Sequence, residues 1–265
     1  MLDREREISE FYSRLDDIAR RADSGELGIS QFLTEAEAAR ADRYLKRCGA
    51  SFALFGGYAD AERKRLYILP DYVEYAEGDE IERVLCDYGF SAQIKALLAT
   101  GSGYATLTHR DFLGSLLALG LERSVIGDIL LLDGGERAVI FCDERISGFI
   151  CEELSKVARD KVRVSEIELG SVTLPERRFA DISHPVSSMR LDCVVSALCN
   201  LSRERVSEMI EAGLVTLDFE IEPKPDRKVS PQSVISVRGF GKYRLICADG
   251  LTKKGKIRLQ AQKYL

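Results

Sequence analysis

Between residues 80 and 169 the hydrophobic period changes in one particular order, and that order constrains the fold more than any other property of the chain. An apolar run, Ile94–Ala99, precedes a helical pattern of Leu113, Leu116, Leu117 and Leu119 that begins near Thr108. Two strand-like runs follow, 128–132 and 137–142, joined by Asp133-Gly134-Gly135, a tight-hairpin sequence. The spacing then predicts a helix over 144–159, with Ile146, Phe149, Ile150, Leu154 and Val157 on one face, and a last alternating strand over 161–167. The order β-α-β-β-α-β is the split βαβ arrangement of ferredoxin-like and RNA-recognition-motif domains. Recognition motifs stack bases on aromatics of their central strands. Phe141 is the one aromatic in those strands here, so base stacking on this sheet is not expected.

The flanks read as two further small domains. Ile8, Phe11, Tyr12, Leu15, Ile18, Ala19 and Ala22 fall at helical spacing, and Thr34-Glu35-Ala36-Glu37 is a capping box opening a helix that stops at Gly49. Strand-like runs at 51–55 and 66–69 complete an α+β domain over 1–75. Residues 170–188 have weak periodicity and read as a linker. Beyond it, a short helix over 191–198 has Ser187 and Ser188 as candidate caps. Ser202 caps a second helix with Val206, Met209 and Ile210 on its apolar face, and strands at 214–217 and 234–237 form a hairpin. The expected fold class is α+β in three small domains: 1–75, a central ferredoxin-like βαββαβ domain at 80–169, and an ααβ module with a basic tail at 187–262.

Charge is distributed unevenly. Residues 186–265 hold 14 Lys and Arg against 9 Asp and Glu, although the whole chain carries −5. An acidic body with a basic tail points to a polyanion partner at the tail and leaves protein partners for the acidic domains. No apolar run reaches the roughly 20 residues of a membrane span, and the N-terminus lacks the apolar core of a signal peptide, so a cytoplasmic protein is expected. Seven scattered cysteines without C-x-x-C spacing, with two histidines, read as buried free thiols rather than a zinc site. No metal and no cofactor is expected.

The candidate RNA-binding residues follow from placement. At the start of the second helix a hydroxyl, Ser202, and a guanidinium, Arg203, meet the positive end of the helix dipole, a ready phosphate site. Arg205 lies on the same helix. Arg238, Lys242, Arg244, Lys253, Lys254, Lys256 and Arg258 then fill a stretch with a single acid, Asp249. Alternation places Arg244 near the hairpin end, and 252–256 reads as an exposed turn. Such scattered cations suit folded or double-stranded RNA better than a flat stacking surface does. His109 and Arg110, at a helix start, are candidates for a second RNA contact. His109 and Asp111 do not share a helix face, so acid–base catalysis is not expected. Gly101-Ser102-Gly103 lacks the rest of a phosphate loop and reads as a turn.

Arg190-Leu191-Asp192, Ser202-Arg203, Ile210, Gly213, Val215 and 234–237 resemble the S-four RNA-binding domain, named for the fourth small-subunit ribosomal protein. Phe55-Gly56-Gly57-Tyr58 with Ala61–Arg65, His109-Arg110-Asp111 with 113–116, Gly127-Asp128-Ile129, and 237–241 with 252–256 extend the resemblance to the YlmH-type proteins over nearly the whole chain. The resemblance implies a non-enzymatic, ribosome-associated RNA-binding factor acting in ribosome quality control on large subunits that still carry peptidyl-tRNA. Its partners would be ribosomal RNA and tRNA, touched by Arg190, Ser202, Arg203 and Arg205. Two departures stand out. Asp218-Phe219 replaces the usual Asn-Gly at the end of the first hairpin strand, and Gln232-Ser233 replaces Gly-Asp before the last. An acid at 218 facing phosphate would be unfavourable. The competing readings are an rRNA-modifying enzyme anchored by its S-four module and a cell-division adaptor. The Arg190-Leu191-Asp192 string also occurs in pseudouridine synthases, whose larger catalytic domain the remaining chain cannot supply.

Overall fold

The computed structural model describes residues 2–171, 175, 178–251 and 255–265, with the backbone alone for 2–5 and 249–251. The chain is α+β and divides into two compact units, 1–175 and 176–265. The segments expected as a first and a second domain both fall in the first unit.

That unit opens with α1 (Leu2–Asp23), β1 (Gly28–Ile29), α2 (Glu35–Cys48), β2 (Phe52–Phe55), β3 (Arg65–Ile68) and α3 (Ile81–Asp87). The capping box forms as expected: Thr34 Oγ1 accepts from Glu37 N, and the Glu37 carboxylate accepts from Thr34 N at 2.8 Å. Gly49 closes α2 with φ +71°, a conformation that favours glycine. The three strands pair in the order β1-β3-β2.

Next come β4 (Ile94–Gly101), α4 (His109–Ala118), β5 (Ile126–Leu132), β6 (Arg137–Asp143), α5 (Glu144–Glu153), β7 (Lys156–Val157) and β8 (Asp160–Ile167). Their sheet runs β5-β6-β4-β8-β7, all antiparallel, which is the strand order of a split βαβ sheet extended by one short edge strand. The expected helix over 144–159 ends at Glu153. Ala158, at φ +53°, turns the chain back so that Val157 pairs with Asp160. Val157 is fully buried, as helical periodicity required, but a strand brings it to the core.

Leu97, Ala99, Ile140, Phe112, Leu116 and Ile150 form the core between the sheet and its two helices. The opposite face is covered as well. Ala96, Val139 and Phe141 pack with Phe32, Phe55 and Tyr58. The Tyr58 ring stacks on Phe141 at 5.0 Å, and Phe141 is 3% exposed, a burial contributing about 1.5–3 kcal/mol. Gly57 makes this approach achievable: a Cβ there would lie 2.4 Å from the Phe141 ring. The segments 56–65 and 127–129 therefore meet. Asp128 accepts hydrogen bonds from Tyr58 Oη (2.8 Å), Glu62 N (2.7 Å) and Arg63 N (3.1 Å).

A buried ion pair ties the same two parts of the unit. Arg65 Nη2 lies 3.3 Å from Asp143 Oδ2, with both side chains almost fully buried. Arg65 also donates to the carbonyls of Ser30 and Gln93, each at 2.8 Å. Arg145, 68% exposed, donates to Asp143 at 2.6 Å from the other side. These partners make the buried charge tolerable, and removing one strands the other.

The second unit contains β9 (Phe179–Val186), α6 (Leu191–Cys199), α7 (Arg203–Glu211), β10 (Val215–Leu217), β11 (Glu220–Ile221), β12 (Val234–Val237), β13 (Gly241–Leu251) and β14 (Ile257–Tyr264). The expected linker is thus in part a strand. β9 pairs with β14 over eight residues at the edge of an antiparallel sheet ordered β11-β10-β12-β13-β14-β9. An edge strand accommodates Pro185 because one side of its ladder needs no donors. Both helices pack on one face, where Leu191, Val194, Val195, Val206, Ile210, Ile235, Tyr243, Leu245 and Leu259 form the core.

The seven cysteines form no disulfide. Of the thiols expected to be buried, Cys142 and Cys193 are, Cys151, Cys199 and Cys247 are partly buried, and Cys48 and Cys86, each in the last turn of a helix, are exposed. Among the described residues, no helix is long and apolar enough to cross a membrane.

Arg65→Met is expected to destabilise the first unit by about 3 kcal/mol in urea unfolding, because it leaves Asp143 partly uncompensated in the interior. Arg145→Met should cost less than about 1 kcal/mol, since most of that guanidinium is already in water.

Candidate nucleic-acid interface

Asp192 organises the helical end of the second unit. Its side chain is 4% exposed, yet it accepts from Arg190 Nε (3.1 Å), Arg190 Nη2 (3.2 Å), Arg203 Nη2 (2.5 Å) and Cys193 N (2.8 Å). Arg190 precedes α6 and Arg203 opens α7, so one buried carboxylate holds guanidiniums from both helix starts. The two arginine side chains remain 43% and 55% exposed. Burial pushes the Asp192 carboxyl upward, but the hydrogen bonds from Arg203 and Arg190 outweigh it and hold the group below its ordinary value. Both guanidiniums are correspondingly raised by their hydrogen bonds to Asp192. The result is a fixed, outward-facing cation pair whose acid is sequestered, an arrangement suited to phosphate.

The remaining expected residues divide. Ser202 caps α7, its Oγ accepting from Arg205 N at 3.2 Å, and so stands beside Arg203. Arg205 is exposed and pairs with Glu208 at 2.7 Å. Ser187 and Ser188 do not cap α6; both hydroxyls contact the Cys193 sulfur instead. The first amides of α6 are closed by loop carbonyls, Leu191 N on Arg227 O (2.8 Å) and Asp192 N on Pro225 O (2.9 Å).

Lys242 and Arg244 lie on the other face of the sheet, because they alternate with buried Tyr243 and Leu245. Arg244 pairs with Val234 and Gln262 within the long strand β13, not at a hairpin end. On that face Lys242 stands over Tyr264 (4.9 Å) and Phe219 (5.2 Å), and Arg244 over Tyr264 (5.8 Å), while Phe179 meets Tyr264 edge-on. Cations over aromatic rings offer both charge and a stacking surface. Arg238 is exposed in the turn before β13, and Lys256 is exposed before β14. Lys253 and Lys254 lie outside the described residues. The helix-start residues and the Lys242–Arg244 pair therefore form two patches on opposite faces of one sheet.

Asp218 turns inward. It and Phe219 both have positive φ in the two-residue β10–β11 turn, the geometry that favours Asn-Gly. The Asp218 carboxylate accepts from Val234 N (2.9 Å) and Ser233 Oγ (3.1 Å), so the Asp-Phe departure is compatible with a phosphate outside.

In the first unit His109 and Arg110 are exposed at the start of α4. Burial, then the charge of Arg123, lowers the His109 pKa against the opposing pull of Asp128 and Glu62. Asp111 is committed to the helix cap, accepting from Thr108 N (2.9 Å) and Thr108 Oγ1 (2.6 Å). Ser102 of the Gly-Ser-Gly turn donates its amide to buried Asp160 at 3.1 Å, a structural bond.

The sequence reading missed one basic feature of this unit. Lys156, Arg159, Lys161 and Arg163 are all exposed on the β7–β8 edge hairpin, and Lys156 pairs directly across from Lys161. Like charges opposed in a ladder are unfavourable unless a polyanion approaches. Two of these cations were hidden by the expectation of a continuous helix to Arg159; the alternation from Lys161 was the available signal.

Comparison with known proteins agrees with the sequence resemblance. The family model described as the putative RNA-binding domain in YlmH matches residues 92–171, the span of β4 to β8. The ribosome-associated protein quality control protein P2 of Bacillus subtilis (strain 168) is 26% identical over 236 residues, covering 89% of this chain and 86% of that protein. The solved cell division protein ylmH from Streptococcus pneumoniae aligns with 63% of this chain and 92% of its own at 19% identity, with a TM-score of 0.48. The split βαβ segment is thus the part of the chain that is similar to this family of domains. The family match and the curated relative together bear out the resemblance to the YlmH-type proteins.

Two outcomes are expected. Asp192→Asn should lower the melting temperature at neutral pH. It should also flatten the acid limb, because the wild-type contribution, present above the ordinary carboxylate range, is lost only as pH falls through the depressed Asp192 pKa. Calorimetric scans from neutral to strongly acidic pH read both effects. Lys161→Glu should raise thermal stability by a few tenths of a kcal/mol through an opposed charge pair, while weakening RNA binding in a gel-shift titration.

Proposed function

We propose that this chain is a non-enzymatic, cytoplasmic RNA-binding protein that associates with the ribosome. The observation that carries the reading is the Asp192-anchored pair of Arg190 and Arg203 beside Ser202, which presents fixed guanidiniums to a phosphate backbone. Its similarity to a protein named for ribosome-associated quality control supports the ribosomal setting. In that setting it would act on large subunits still carrying peptidyl-tRNA, with ribosomal RNA and tRNA as the partners. The second unit, with its S-four-like sequence, would supply the main grip on structured RNA. Its helix-start patch would use Arg190, Ser202, Arg203 and Arg205, and its opposite sheet face Lys242 and Arg244, with Arg238 and Lys256 beside the strand ends and, from the sequence, Lys253 and Lys254.

The split βαβ domain has its own route to RNA. Its sheet face is occupied by Tyr58 and Phe55, so stacking in the manner of a recognition motif is closed to it. The exposed cations of the β7–β8 hairpin, with His109 and Arg110, remain as backbone contacts. We keep the three-domain division as a functional one: a docking N-terminal segment, a βαββαβ domain and a C-terminal RNA grip.

Filter-binding titration of a structured ribosomal RNA fragment tests this reading. Binding should weaken steeply with salt as counterions are displaced, and Arg190→Gln or Arg203→Gln should each lower the logarithmic salt slope by about 1. Salt-insensitive binding, or unchanged affinity in both variants with the fold intact by circular dichroism, would remove the assigned site.

A further inference from the structure

The first unit contains a second cationic site that the RNA reading does not use. A cavity of about 460 Å³ lies between α1, the segment Ile29–Thr34 and the residues before β5. Phe11, Leu15, Ile18, Phe32 and Leu33 give it an apolar wall, and Arg14, Arg21, Arg63 and Arg123 line the rest. Arg14 and Arg21, two turns apart on α1, are exposed, whereas Arg63 and Arg123 are half-buried.

The buried pair is fixed by backbone rather than by acids. Arg63 donates Nε to Ile126 O (2.9 Å) and Nη2 to the carbonyls of Phe32 and Arg123 (3.0 Å each). Arg123 donates Nη1 to the carbonyls of Ile126 (2.8 Å) and Gly127 (2.9 Å). The two guanidiniums thus share the Ile126 carbonyl. Arg63 Nη1 and the Nε–Nη2 edge of Arg123 engage no other group among the described residues. That edge is the one that grips phosphate or carboxylate in two parallel hydrogen bonds.

None of the four arginines has a carboxylate within ion-pair distance among the described residues. Of the two acids lining the cavity, Glu37 holds the α2 cap through Oε2 and attracts Arg63 from beyond ion-pair distance, and Asp17 is paired with Arg20. Burial, and then the neighbouring Arg63 charge, pushes the Arg123 pKa down to about 10 against the opposing pull of Asp128, a cost that an anion would relieve further. The convergence occurs in the acidic part of the chain, where scattered arginines would be expected to find carboxylates.

We propose that this cavity binds a nucleoside phosphate, with the phosphate on Arg63 and Arg123, closed over by Arg14 and Arg21, and the nucleoside against the Phe11–Phe32 wall. The volume falls within the range of small-ligand pockets. Free nucleotide and the phosphorylated end of an RNA share this chemistry.

Isothermal titration calorimetry on the full chain tests the proposal, and the mononucleotides and the paired RNAs with and without a 5′-phosphate separate it from RNA binding by the second unit. The ligands are adenosine and cytidine monophosphate, the two nucleosides, inorganic phosphate, and a short single-stranded RNA with and without a 5′-phosphate. A monophosphate, or the 5′-phosphorylated RNA, should bind saturably and about tenfold or more tighter than its unphosphorylated form and than inorganic phosphate. Preference for the free monophosphate identifies a nucleotide ligand, and preference for the phosphorylated RNA identifies an RNA end. The double variant Arg14→Gln/Arg21→Gln, which alters exposed side chains only, should lose that binding about tenfold with an unchanged melting temperature. Absence of binding at millimolar ligand, equal affinity for phosphate and nucleotide, or undiminished binding in the double variant would each overturn the proposal.

Discussion

The docking of the 56–63 loop onto Asp128 decides much of what the first unit can do. Three donors from that loop converge on one largely buried carboxylate, which brings Gly57 and Tyr58 down onto Phe141. A split βαβ sheet ordinarily has one face covered by its helices and the other left to solvent or ligand. Here the second face is core. Any nucleic acid must then be met at the edges and helix ends of that domain, where Lys156, Arg159, Lys161 and Arg163 are exposed.

Buried acids recur as organisers of arginine. Asp143 holds Arg65 and Arg145, and Asp192 holds Arg190 and Arg203. The two sites differ in where the cations end. Arg65 is sealed inside and serves the join between sheet and N-terminal segment. Arg190 and Arg203 keep about half of their surface in solvent and remain available to an outside anion. The same interaction seals a charge inside when both partners are buried, as with Arg65, and leaves guanidiniums in contact with solvent at Arg145, Arg190 and Arg203.

Much of the local structure was legible in the sequence. The capping box at Thr34, the helix start near Thr108, the glycine stop at Gly49 and the β-α-β-β-α-β order follow from short-range rules that tertiary contacts did not override. The failures have a common cause. α5 was read too long because Val157 keeps helical spacing, while a two-residue turn with Ala158 at positive φ returns the chain as a strand. β9 was read as linker because an edge strand with one solvated face, carrying a proline, needs little periodicity. Of the site residues, Ser202 and Arg203 were legible by their position at a helix start, and Arg190 through the resemblance to the S-four domain. That Lys242 and Arg244 belong to a separate face was not, because it depends on how many strands the sheet acquires.

The sequence alone determined the β-α-β-β-α-β order of the central segment, the ends of most helices that it showed and the concentration of cations after residue 186. These are set by residues near one another in the chain, through capping, turn chemistry and apolar spacing. Tertiary structure alone decided which polar groups meet. Asp128 with the 56–63 loop spans more than sixty residues, Arg63 reaches the Arg123 carbonyl across a similar gap, and Asp192 joins two helix starts. Such pairings offset the loss of solvation of charged groups on burial, and a burial penalty exists only once the chain has packed.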